Sequence, residues 1–167
     1  PPTTTSGWAG MNGLSLDGLD DYVVADYSSL KPTGDFTVSV WVKPNSLTTA
    51  RYPLGTNYYG HNYGYVVGIN PTLNNFNFQV QSSSVTSAAI YSLIPSTGVW
   101  YHIVGVYSSG VPKIYVNAVA GTNGSSVVIA YEATNEFRIG ALENAPAGTL
   151  FNGSIDDVRI YNRALSA

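Results

Sequence analysis

From Phe36 to Lys43 the chain alternates without a break. Phe36, Val38, Val40 and Val42 take one parity, and Thr37, Ser39, Trp41 and Lys43 the other. Successive side chains on a strand point to opposite faces, so this stretch is a strand with one side in a core and the other toward solvent or a neighbour. Trp41, on that second side, is expected to fill a secondary core or cover a loop. The same period recurs along the chain in short β-branched runs, broken by clusters of Gly, Pro, Asn or Ser, and helical spacing is nearly absent. Strands are predicted near Gly13 to Leu16, Tyr22 to Ala25, Phe36 to Lys43, Tyr63 to Ile69, Asn75 to Gln81, Tyr101 to Tyr107, Lys113 to Val116, Glu136 to Ala141 and Ser154 to Asn162. That many short strands predict an all-β chain folded as a two-sheet antiparallel β-sandwich.

A chain of 167 residues fits one domain, and at that size folding buries roughly 70% of the unfolded surface, enough for a core without staples. Only 10% of the residues are charged, against about 25% in an average soluble domain, so the surface is neutral and polar. A net charge of -3 with seven scattered Lys and Arg leaves no cationic footprint, which argues against nucleic acid as a partner. There is no cysteine, which excludes thiol catalysis, thiolate zinc and disulfides. No apolar run approaches the ~20 residues of a spanning helix, so membrane insertion is not expected. Pro1-Pro2-Thr3-Thr4-Thr5-Ser6-Gly7 reads as the tail of an extended linker; the expected division is a linker-like segment over 1–10 and one domain over 11–167, taken from a longer protein.

The two ends of the chain each set acidic residues beside a short apolar strand. In Ile155-Asp156-Asp157-Val158-Arg159-Ile160-Tyr161, plain alternation puts Asp156 on the face of Val158 and Ile160, and Asp157, Arg159 and Tyr161 on the other. A carboxylate facing a core must be paired, hydrogen-bonded or bound to a cation. Asp17, after Leu14 and Leu16, is subject to the same requirement where it stays near the edge of the core.

These stretches also carry a resemblance. Asp17-Gly18-Leu19-Asp20-Asp21-Tyr22-Val23, Phe36 to Pro44, Trp100-Tyr101-His102-Ile103-Val104-Gly105-Val106, Ile114-Tyr115-Val116-Asn117 and Ile155 to Ser166 resemble, in order, the signature blocks of the laminin G-like, concanavalin A-like domain. The resemblance covers Gly13 to the end. It implies a jelly roll, usually secreted, often calcium-bearing, that binds glycans or other surface partners. Asn117-Ala118 departs from the family, which usually has Asp or Asn followed by Gly in that hairpin turn.

In the fold so implied the first and last strands lie close, which would let Asp17 and Asp156 meet on one structural calcium ion together with loop carbonyls. Calcium takes about six to eight oxygen ligands and accepts irregular loops, and Asp17, Asp20, Asp21, Asp156 and Asp157 are five of the ten acids. The alternative is that Asp157 pairs with Arg159 or Arg138 while Asp20 and Asp21 cap a turn. His102 falls at a structural position of the family, and a packed, hydrogen-bonded role is expected of it.

The connection from Arg51 to Tyr65 holds five tyrosines, two asparagines, a histidine and an arginine. Aromatic rings offer flat faces to sugar C–H groups, and Asn, His and Tyr hydroxyls supply directional hydrogen bonds at low ordering cost. Tyr58, Tyr59, His61, Asn62 and Tyr63 are therefore the expected ligand-binding residues; the bland reading is a loop packed on itself.

Catalysis is not expected. Glycoside cleavage needs two facing carboxylates about 5.5 Å or about 6.5–9.5 Å apart, the only glutamates are Glu132, Glu136 and Glu143, and no Gly-x-Ser-x-Gly elbow occurs. The function expected is that of a non-catalytic, extracellular recognition domain for glycans or other cell-surface ligands. A self-assembling module of a surface appendage comes second, and a glycan-cleaving enzyme third.

Overall fold

The computed structural model describes all residues except 11, 27, 57–60, 62, 84, 134, 135, 147 and 167. Its strands are β1 (Thr3–Ser6), β2 (Asn12–Asp17), β3 (Val23–Ala25), β4 (Phe36–Pro44), β5 (Arg51–Gly55), β6 (Gly64–Asn70), β7 (Asn75–Ser82), β8 (Val85–Ser92), β9 (Tyr101–Ser108), β10 (Val111–Val116), β11 (Val119–Ala120), β12 (Phe137–Ile139) and β13 (Asn152–Tyr161). They form a seven-stranded sheet, β1-β2-β13-β4-β9-β10-β11, and a six-stranded sheet, β3-β12-β5-β6-β7-β8. Every strand pair is antiparallel. The fold is the expected all-β jelly-roll sandwich.

The parity read in β4 is the parity found: Phe36, Val38, Val40 and Val42 are fully buried between the sheets. They meet Ile103, Ile114 and Ile155 from their own sheet and Tyr65, Val67, Phe76, Phe78 and Val80 from the other. Gly105 on β9 makes room for this packing, since a Cβ there would lie 2.4 Å from the Phe78 ring.

Besides the two-residue β11 (Val119–Ala120), which was not expected either, three stretches differ from the sequence expectation. Thr3–Ser6, inside the segment read as linker-like, pairs with β2 from Thr3↔Ser15 to Ser6↔Asn12. β-branched threonines suit a strand edge, and the linker reading of 1–10 does not extend to them. Arg51–Gly55, read as loop, is a strand, and its irregular pairing with β6 between Arg51 and Leu54 brackets Pro53, which cannot donate to a ladder. Val85–Ser92, for which no strand was expected, pairs along its whole length with β7.

The fourth difference decides where the acids go. Between Asp156, opposite Trp41, and Arg159, opposite Ser39, the register of β13 against β4 shifts through a bulge, with Asp157 at φ 49°. One extra residue resets the alternation. Asp156 therefore shares the outer face with Trp41, and the expectation that it faces the core with Val158 and Ile160 is corrected.

Candidate functional site

Phe76, Phe78 and Val80 of β7 are fully buried in the core, so Asn75, Asn77, Gln79 and Gln81 stand on the outer face of the six-stranded sheet. They form a row of amides. Asn77 Nδ2 donates to Asn75 Oδ1 at 3.4 Å, Gln79 Nε2 to Asn77 Oδ1 at 2.9 Å, and Gln81 Nε2 to Gln79 Oε1 at 3.0 Å. A primary amide has two N–H donors and two acceptor lone pairs. Asn77 and Gln79 each spend one donor on the row and accept one bond there. Asn75, Asn77 and Gln81 are recessed, 7%, 8% and 3% exposed, and half-buried Gln79 presents the most surface, with a second donor and a second acceptor direction.

The surroundings keep this row flat and uncharged. Gly68 of β6 lies opposite Asn77, and a Cβ there would sit 2.6 Å from Asn77 Oδ1, so the missing side chain lets the amide lie down on the sheet. Ala88 of β8 lies opposite Gln79. Gly64 lies opposite Gln81, so Tyr63, the residue before β6, adjoins that end of the row.

Of the residues expected to bind a ligand, Tyr58, Tyr59 and Asn62 lie outside the described residues. Tyr63 is half-buried and directly precedes β6, and His61 is exposed, with Nδ1 3.1 Å from Glu132 Oε1. Glu136 pairs with Arg138 at 2.7 Å and offers its backbone N–H to Glu143 Oε2 at 3.2 Å. Each glutamate is thus engaged by a neighbour, in keeping with a solvated or structural role.

Asp17 and Asp156 are not brought together. Their strands do pair, but Asp17 lies opposite Asn152 and Ile155 opposite Leu14, so Asp156 sits four positions further along β13. At about 3.3 Å per residue that separation is about 13 Å. Asp156 Oδ2 instead accepts the backbone N–H of Trp8 at 2.9 Å. The acids that converge are Asp17, Asp20 and Asp21, whose carboxylate oxygens lie within 4.8 Å of one another. Asp17 Oδ1 accepts the N–H of Leu19 at 2.8 Å, and Asp21 Oδ2 accepts that of Asp17 at 3.1 Å. Asp21 is buried, 5% exposed; its Oδ1 has the Pro1 amino group at 3.0 Å and no hydrogen-bond donor besides. Asp157 takes the pairing with Arg159, at 2.7 Å.

The seven-stranded sheet holds an aromatic stack that sequence reading did not assemble, because its members come from residues 8, 41 and 102. Trp8 stacks on Trp41 with ring centroids 3.9 Å apart, and Trp41 on His102 at 4.7 Å. His102 is packed and hydrogen-bonded as expected, through Nε2 to Ser39 Oγ at 2.8 Å, and it stands on the outer face.

Residues 17–167 match the model of the concanavalin A-like lectin/glucanases superfamily. No curated protein matches the sequence. Among solved structures, domain 4 of AbnA, a GH43 extracellular arabinanase from Geobacillus stearothermophilus, in complex with arabinotriose, is 24% identical with a TM-score of 0.80, over 99% of this chain and 77% of that one. The CBM40 of the Ruminococcus gnavus IT-sialidase is 12% identical with a TM-score of 0.73, over 92% of this chain and 91% of that one. The same CBM40 bound to α2,3-sialyllactose gives 12% and 0.72 over the same shares. At such identities the likeness is one of fold. No described helix is long and apolar enough to cross a membrane.

Proposed function

The chain belongs to the concanavalin A-like lectin/glucanase superfamily, and on that premise we propose that it is a non-catalytic, extracellular recognition domain that binds a glycan on the outer face of the six-stranded sheet. The amide row of β7 carries the reading. Planar, uncharged amides match vicinal hydroxyls with one donor and one acceptor each, and their mutual hydrogen bonds hold them in place before a ligand arrives, which lowers the ordering cost of binding. Tyr63, next to Gly64 at the Gln81 end, would extend the surface there, where a ring adds apolar contact to directional bonds, with exposed His61 two residues before it in the chain. Tyr58, Tyr59 and Asn62 stay part of the proposed ligand-binding set on their residue chemistry alone. Solved neighbours with arabinotriose or sialyllactose bound support the class of ligand.

Replacing Asn77 and Gln79 together by Ala and comparing retention on a glycan array tests the proposal. Loss of retention with an unchanged fold supports it, and unchanged retention refutes this face as the site.

A structural calcium ion belongs to the same proposal, relocated from the Asp17–Asp156 pair to the Asp17–Asp20–Asp21 turn. Three carboxylates within 4.8 Å, one of them buried, are oxygen donors of the type calcium takes. There the ion would tie the β2–β3 turn and have no part in a reaction. Self-assembly through strand edges has less support: the outer edge of β8 is already closed at Ile90, which exchanges backbone hydrogen bonds of 2.9 and 2.7 Å with Thr122.

A further inference from the structure

On the other side of the sandwich, the outer face of the seven-stranded sheet holds a cleft of about 380 Å³. Val104 and Val106 line it on β9, with Trp41 and His102 beside them, and Asp157 and Arg159 reach it from β13. The tail folds back to border it: Thr37 Oγ1 donates to the Arg163 carbonyl at 3.0 Å and accepts the Leu165 N–H at 2.9 Å, which sets Leu165 and Ser166 at the rim.

Two features mark this cleft as built. The first is rigidity, since Trp41 is held between Trp8 and His102 and the imidazole is fixed by Ser39. The second is the bulge. Asp157 adopts φ 49°, a left-handed conformation that a non-glycine residue takes only against a backbone cost. Its carboxylate then holds Arg159 at the cleft.

We propose that this cleft is a second binding site, for one or two neutral sugar residues at a chain end or branch. Val104, half-buried, with the edge of the buried Val106 beneath it, offers an apolar surface to the C–H face of a pyranose or furanose ring. The Asp157–Arg159 pair sets an acceptor beside a donor, a match for adjacent hydroxyls, and Tyr115 and Tyr161 add hydroxyls. Because the two charges are already paired, a neutral ligand fits better than an anionic or cationic one. Pockets of this size and mixed lining suit small ligands, and Leu165 and Ser166 border the rim. Two sites on opposite faces would let one domain bridge two glycan chains. The sugar class rests on the function proposed above; the cleft and its geometry do not.

The test is an NMR titration of the intact chain with methyl glycosides of arabinose, xylose, glucose and galactose. The readouts are the Val104 and Val106 methyl and His102 ring signals for the cleft, and the Asn77 and Gln79 side-chain amides for the row. At least one glycoside is expected to move the cleft signals saturably. Val104→Phe, which fills the cleft, should abolish that shift, and Asp157→Ala should weaken it about tenfold. Cleft signals that stay still with every glycoside, or shifts undiminished in both variants, overturn the inference. Movement of the row alone removes the cleft and keeps the proposed function, whereas movement of the cleft alone supports the cleft and removes the row.

Discussion

The rings of His102 and Trp41 lie face to face, 4.7 Å apart and 15° from parallel. The contact buries the imidazole, and burial pushes its pKa below the usual 6.5, with Asp157 pulling it up and Arg159 pushing it down by lesser amounts. A lowered folded-state pKa means that the unfolded chain takes up a proton that the folded chain resists. Stability is therefore full above about 6.5 and is lost as pH falls from there through the lowered folded value. Melting temperature against pH should drop for the native chain in that window and less for His102→Gln, which can still bond Ser39. Coincident curves contradict the account.

Asn117 and Ala118 both have positive φ, 50° and 65°, in the turn between β10 and β11. Two such residues in sequence are the demand of a type I′ hairpin, met best by Asn-Gly. Ala118 is the strained member, and Ala118→Gly should stabilise by about 1 kcal/mol, raising the melting temperature by roughly 2–4 °C. A lower melting temperature would show that the alanine methyl, at the cleft, packs for more than its backbone costs.

If calcium binds the Asp17–Asp20–Asp21 turn, it binds the folded chain alone. At about a hundred times its Kd the ion would then add about 2.7 kcal/mol. Calorimetry with calcium and with chelator should separate the native melting temperatures, and Asp20→Asn should reduce the gap. Equal values in both buffers would remove the ion from the account.

Gly68→Ala separates the amide row from the fold. The new methyl meets the end of the Asn77 side chain, at 2.6 Å from Oδ1 and 3.1 Å from Nδ2, so a side chain moves while the backbone stays. A small loss of stability, about 1 kcal/mol or less, is expected alongside a clear loss of glycan affinity. Gly105→Ala, whose methyl would press into the Phe78 ring, is the contrast: about 1–3 kcal/mol of stability should go.

Strand parity was legible wherever one face is apolar, as in β4, because a period of two survives any tertiary context. It failed at Asp156-Asp157, where a bulge adds a residue without altering composition. The shared ion for Asp17 and Asp156 failed separately, because the register of β2 against β13 sets Asp156 four positions beyond the partner of Asp17. β8 was hidden by its Ser, Thr and Ala content, since β7 and the bridge at Thr122 supply the pairing that its own residues do not advertise. The amides of β7 could have been found, as Asn75, Asn77, Gln79 and Gln81 alternate with Phe76, Phe78 and Val80 in plain view. The Trp8–Trp41–His102 stack could not, because only the pairing of distant strands brings those rings together.

The central claim is that glycan meets the amide face of β7, and the most direct measurement is the response of the Asn77 and Gln79 side-chain amide signals to an oligosaccharide that the native chain retains on an array. The account predicts saturable shifts at both amides, with the same midpoint as binding measured calorimetrically and lost in Gly68→Ala. Calorimetric binding with both amide signals unmoved would contradict it.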